Sequence, residues 1–90
     1  MKIIKEYSIG LGKHIAGIDK EAQILSIKVQ NNQPVIVALV DINSQPGSRM
    51  FHVVQENIEF EYDESYIYIG SFSFHPGRSL YYIFDCGETS

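Results

Sequence analysis

Residues 24–41, Ile24-Leu25-Ser26-Ile27-Lys28-Val29-Gln30-Asn31-Asn32-Gln33-Pro34-Val35-Ile36-Val37-Ala38-Leu39-Val40-Asp41, hold two apolar runs joined by Asn31-Asn32-Gln33-Pro34. The first run, Ile24 to Gln30, alternates: Leu25, Ile27 and Val29 against Ser26, Lys28 and Gln30. A period of two marks a strand with one face buried. The second run, Val35 to Asp41, is almost continuously apolar and rich in β-branched residues, as in a central strand covered on both faces. The stretch reads as an antiparallel hairpin at the centre of an all-β domain.

Working outward, further strands are expected at Ile3 to Ile9, His14 to Ile18, Arg49 to Gln55, Tyr66 to Phe72 and Leu80 to Asp85. The connections carry turn chemistry, notably Asn43-Ser44-Gln45-Pro46-Gly47-Ser48 and His75-Pro76-Gly77-Arg78. Short strands separated by such turns predict a small antiparallel sandwich or barrel-like fold, one domain over residues 1–90. The helical signal is confined to a single turn at Ile18 to Gln23, with Asp19 as its cap.

Composition narrows the function. With 44% hydrophobic and 12% aromatic residues the chain is rich enough to fold, and at 90 residues it buries a limited core, so a homo-oligomer is expected. The net charge of −4 and the scatter of its 7 basic residues argue against generic nucleic-acid binding, which needs clustered cations. No run approaches membrane-spanning length and the N-terminus does not read as a signal peptide. Cys86 is the only cysteine, and a domain this small without disulfide pairs fits the cytosol.

Catalytic and metal signatures are weak. His14, His52 and His75 lie on separate elements without a second ligand at zinc spacing. His52 shares a strand face with Met50 and Val54 and reads as a satisfied structural residue. The segment 56–64 interleaves 5 acids with Ile58, Phe60 and Tyr62 but has neither the spacing nor the glycine of a calcium loop, so it reads as a solvated loop or charged edge. Gly10-Leu11-Gly12 is no dinucleotide fingerprint. No enzyme, cofactor or metal is expected.

Aromatic residues and isolated arginines remain. Tyr66, Tyr68 and Phe72 alternate along one strand with Gly70 between, where a missing side chain leaves space for a ligand or another backbone. Leu80, Tyr82 and Phe84 line one side of the last strand and Tyr81 the other. Arg49 and Arg78 sit at strand starts beside Gly/Pro loops, where a guanidinium can fork onto phosphate or carboxylate. The candidate binding residues are therefore Arg49, Arg78, Tyr68 and Tyr81, with His75 as a rim donor, for a small anionic, nucleotide-like ligand.

The chain also resembles a family of short, uncharacterised β proteins common in phages and prophages. These begin Met-Lys-x-Ile and carry Ile-Leu-Ser-Val-x-Val-Gln-Asn-Gly-x-Pro followed by Ala-Leu-Val-Asp. The matching residues here are Met1, Lys2 and Ile4, Ile24 to Ile27, Val29 to Asn31, Pro34, and Ala38 to Asp41. Arg49 and Phe51 match further on, as does a Tyr-Ile-Gly-x-Phe motif at Tyr68, Ile69, Gly70 and Phe72. Departures are Asn32 in place of the turn glycine, Val37 in place of a tryptophan, and Gln55-Glu56-Asn57 in place of a glycine-rich turn. The resemblance implies a compact β fold and a phage setting, hence a host-cell cytosol. By analogy of size and setting it extends to accessory proteins that sequester nucleotide immune signals. The alternatives are a module that inhibits a host protein and, last, a nucleotide-cleaving enzyme.

Overall fold

Asn31 and Asn32 both adopt positive φ, 54° and 60°, and so close a two-residue hairpin loop in which Gln30 faces Gln33. This is the primed turn geometry that matches strand twist, and asparagine tolerates it better than most side chains. In this computed structural model, which describes residues 1–89, the hairpin comprises β3 (Gln23–Gln30) and β4 (Gln33–Asp41). The strand thus starts two residues earlier than the apolar run suggests, and Pro34 lies inside it. Proline is tolerated there because β1 (Lys2–Ser8) ends just short of it, while the Pro34 carbonyl still accepts a bond from Ile9 N at 3.0 Å.

β4 is central in a three-stranded antiparallel sheet of order β1-β4-β3. Its Ile36, Ala38 and Val40 are fully buried, whereas Val37 and Leu39 on the other face are only half-buried. One face of this strand is therefore core and the other lies near solvent, rather than both being fully covered. The remaining strands are β2 (Gly12–Gly17), β5 (Ser48–Gln55), β6 (Ile67–Phe72) and β7 (Tyr81–Glu88), in a four-stranded antiparallel sheet of order β2-β5-β7-β6. The described residues are thus all-β, with 7 strands in two sheets. Among the described residues no helix is long and apolar enough to cross a membrane.

The two inner faces share one core, with Ile36, Ala38 and Val40 from the first sheet and Phe51, Phe72 and Ile83 from the second. One side of the sandwich is tightly closed. A Cβ on Gly70 of β6 would lie 2.7 Å from Ile27 Cδ1 of β3. The space beside Gly70 is therefore filled by Ile27, not left open for a ligand. A register shift between Tyr68 and Gly70 also reverses the alternation of β6. Tyr68 is 53% exposed and Phe72 only 8%, so the two do not share a face.

The expected helical turn at Ile18 to Gln23 is a reverse turn between β2 and β3. Ala22 N bonds Asp19 O at 3.2 Å and Glu21 has a φ of 61°, which no right-handed helix contains. The Asp19 carboxylate caps nothing. It receives Lys5 Nζ at 3.1 Å, Tyr7 Oη at 3.1 Å and Ser44 Oγ at 2.9 Å. These bonds tie β1, the β2–β3 turn and the β4–β5 connection to one anion. The Ser44, Lys5 and Tyr7 donors hold the Asp19 carboxyl below the usual aspartate range.

Candidate functional site

Pro76 and Gly77 occupy the middle of a turn closed by Arg78 N to His75 O at 3.2 Å, with Gly77 at a φ of 78°. Proline followed by a positive-φ glycine suits a type II turn, and the turn presents His75 and Arg78 on the same loop. Both are exposed, and Ser73 Oγ anchors the loop by donating to His75 O at 2.6 Å. Arg78 begins no strand, since β7 starts at Tyr81.

Tyr81 is at that start and faces the core side. It stacks on Phe72 with centroids 5.3 Å apart and planes 13° from parallel, and Phe74 meets it edge-on at 5.4 Å. His75, Arg78 and Tyr81 line an open cleft of about 260 Å³ together with Gln55, Phe74 and Ser79. Among the described residues Arg78 makes no salt bridge, whereas each of Lys2, Lys5, Lys28 and Arg49 does. The cleft therefore combines an uncommitted guanidinium, an imidazole and a flat ring immobilised by two phenylalanines. Sequence reading names Tyr81 but misses its support, because the β6 register shift that turns Phe72 inward is not visible in the alternation.

The structure brings together three of the five expected binding residues and separates the other two. Arg49 is only 9% exposed. Its Nη1 lies 3.2 Å from Asp85 Oδ2 and its Nη2 donates to Ala22 O at 3.4 Å. Alternation explains the placement: Arg49 shares the inward face of β5 with Phe51 and Val53. It borders a cleft of about 470 Å³ beside Ser48, Glu88 and Thr89, but its charge is matched by Asp85.

Tyr68 lies on the outer face of the second sheet, 5.8 Å from Phe84 and 6.2 Å from Tyr82. Across the same face runs the acidic segment 56–64, which forms no strand. Phe60 packs edge-on to His52 at 5.6 Å and against Phe84 at 5.8 Å, and Tyr66 closes on His52 at 6.3 Å. The segment is thus an aromatic cover in which Glu59, Glu61, Asp63 and Glu64 are exposed, while Glu56 is half-buried and accepts the Leu80 N–H at 3.0 Å. Among the described residues nothing hydrogen-bonds the buried Nδ1 of His52 beneath the cover, so the ring is not the satisfied residue expected. Burial, and secondarily the Lys13 charge, push its pKa below the ordinary histidine value.

No three His, Cys, Asp or Glu side chains come together as a metal site among the described residues. Burial pushes the Cys86 thiol up, which keeps it in the weakly nucleophilic protonated form at neutral pH.

Fold and cleft together define a small two-sheet antiparallel β protein with a cationic, aromatic recess. The chain belongs to the family described as "Domain of unknown function (DUF7352)", which it matches over residues 1–89. No curated protein and no solved structure matches it.

Proposed function

We propose that this is a non-enzymatic binding protein that sequesters a small anionic ligand of the nucleotide type at the His75–Arg78–Tyr81 cleft. The observation that carries the reading is the meeting of an unpaired, exposed guanidinium with a stacked tyrosine across one recess. A nucleotide needs that pair of groups, a charge-assisted donor for phosphate and a π face for the base. Arg78 takes the phosphate, Tyr81 the base, and His75 donates at the rim. The cleft is open to water along one side, which suits binding better than chemistry that requires solvent exclusion. The setting that fits is a phage accessory protein that removes an immune signal from the host cytosol.

A panel of cyclic and linear nucleotides is incubated with the pure protein, which is then heat-denatured. Sequestration returns intact ligand, whereas cleavage returns products. Calorimetry on the best ligand then compares Arg78→Ala with the parent. Loss of a charged hydrogen bond costs about 1.5–3 kcal/mol, so affinity is expected to fall tenfold or more. Unchanged affinity in a folded Arg78→Ala protein rules out this cleft.

A second reading, a module that binds a basic host protein, has its own support. Ile58, Tyr62, Ile67 and Tyr68 are all more than half exposed on or beside the acidic cover, at 61%, 58%, 62% and 53%. Exposed apolar groups rimmed by charge mark interaction surfaces. A protein that retains no nucleotide from the panel favours this reading.

A further inference from the structure

β1 is one of the four strands that end the two sheets, with β3 at the far side of its own sheet and β2 and β6 at the sides of the other. The Ile27 side chain of β3 packs against Gly70 of β6, and β2 has only 6 residues and a glycine at each end. Along β1, Ile42 N donates to Met1 O and Ile9 N to Pro34 O, both at 3.0 Å. With the regular β1–β4 register between them, the odd positions of β1 turn their backbone groups toward β4. The even positions Lys2, Ile4, Glu6 and Ser8 therefore aim their N–H and C=O groups away from the sheet. Such a row is a template for another strand.

The side chains specify which strand. Lys2, Ile4 and Glu6 lie on the outer face, opposite Asp41, Leu39 and Val37. Ile4 is 60% exposed between a cation and an anion. We propose that β1 pairs antiparallel with β1 of a second copy about a twofold axis at Ile4, joining the two three-stranded sheets into one. Lys2 then faces Glu6 of the second copy at both ends of the seam, and Ile4 faces its own counterpart. Each of these even-position pairs exchanges both of its backbone hydrogen bonds.

Neighbouring registers with the same backbone parity are worse: centring on Ile3 sets Lys2 against Ile4 and leaves Glu6 without a facing cation. Centring on Lys5 sets Lys5 against Lys5, and centring on Glu6 sets carboxylate against carboxylate, both destabilising. Existing contacts extend the favoured one. Glu6 already holds Lys28 at 2.6 Å and Lys2 lies 4.0 Å from Asp41, so the charges alternate in sign across the seam. Lys5 and Tyr7, on the inner face, are held by Asp19, which fixes the edge before a partner arrives. Closed isologous dimers are the commonest symmetric assembly. The seam shares no residue with the His75–Arg78–Tyr81 cleft, so the two readings fail independently.

Light scattering on the full chain is expected to give twice the 10.2 kDa mass. Glu6→Lys opposes like charges at both ends and is expected to weaken association about tenfold or more. Lys2→Glu combined with Glu6→Lys recovers most of that loss, with circular dichroism confirming the fold of each variant. In a Cys86→Ser background, Ile4→Cys forms an intermolecular disulfide on mild oxidation, since backbone-paired positions are about 5.5 Å apart at Cα. Lys5→Cys and Ile15→Cys do not. A monomeric mass at every concentration tested overturns the proposal. So does a dimer that cross-links through position 5 or 15 and not through position 4.

Discussion

Arg49 and Arg78 look alike in the sequence, each following a loop with proline and glycine, and the fold uses them in opposite ways. Arg49 is turned inward by the alternation of β5 and its charge is spent on Asp85 and the Ala22 carbonyl. Arg78 rides on a turn outside any strand and stays exposed. A loop-flanking arginine is thus a ligand candidate only once strand parity is known. The Arg49 region is built from satisfied partners, and the Arg78 region offers unsatisfied ones.

The sharpest way to break this contrast is to truncate both arginines. Arg49→Ala leaves the Asp85 carboxylate, 13% exposed, with the Gly87 N–H bond but without its cation, which is expected to cost about 3 kcal/mol in urea denaturation. Arg78→Ala is expected to stay within about 0.5 kcal/mol of the parent, as an exposed side chain without a structural partner should. Replacing both members of the buried pair, Arg49→Met with Asp85→Leu, is expected to recover much of the loss, because no lone charge remains. Equal effects of the two single truncations would erase the distinction.

The closed side of the sandwich gives an intermediate effect. Gly70→Ala places a methyl group 2.7 Å from Ile27 Cδ1 at a φ of 154°, and a loss of about 1–3 kcal/mol is expected. Ile27→Val in the same chain relieves the contact but not the backbone strain, so only partial recovery should appear in thermal melts.

The smallest effect concerns His52, a half-buried group whose Nδ1 has no hydrogen-bond partner among the described residues. Its folded-state pKa lies below the unfolded value of about 6.5. Between the two values the unfolded chain binds the extra proton. Stability is therefore complete above about pH 6.5 and declines as the pH falls toward the folded pKa. The groups around the ring are Lys13 of β2, Phe84 of β7, and Phe60 and Tyr66 of the cover, so no anion among them rescues the imidazolium. His52→Leu is expected to flatten the fall in melting temperature across that interval.

The fold was readable because its signals are local. Alternation in Ile24 to Gln30, the β-branched run in β4 and the turn residues each act within a few positions, and they located all 7 strands to within a few residues. The candidate site was readable only in part. Arg78, His75 and Tyr81 come together because they flank one short turn. The supporting Phe72 was hidden by the irregular register at Gly70, where one added residue reverses which side chains face inward. The partners of Arg49 and Asp19 lie far along the chain, and no local pattern announces them. Asp19 read as a helix cap because its sequence neighbours suit one; its three donors arrive from β1 and the β4–β5 connection.

The strand order also has a consequence for how the chain acquires its shape. Only β3–β4 and β6–β7 join consecutive strands, whereas β1 waits for β4, β2 for β5, and β5 for β7. β1 is made before its partner and has no neighbour in its sheet until residues 33–41 have followed it. Pairings between distant segments carry the loop-closure cost before any contact repays it, which places folding in the millisecond-to-second range typical of all-β domains. The Asn31-Asn32 turn is then a starting point as well as a connection, since it assembles the one strand against which β1 can dock.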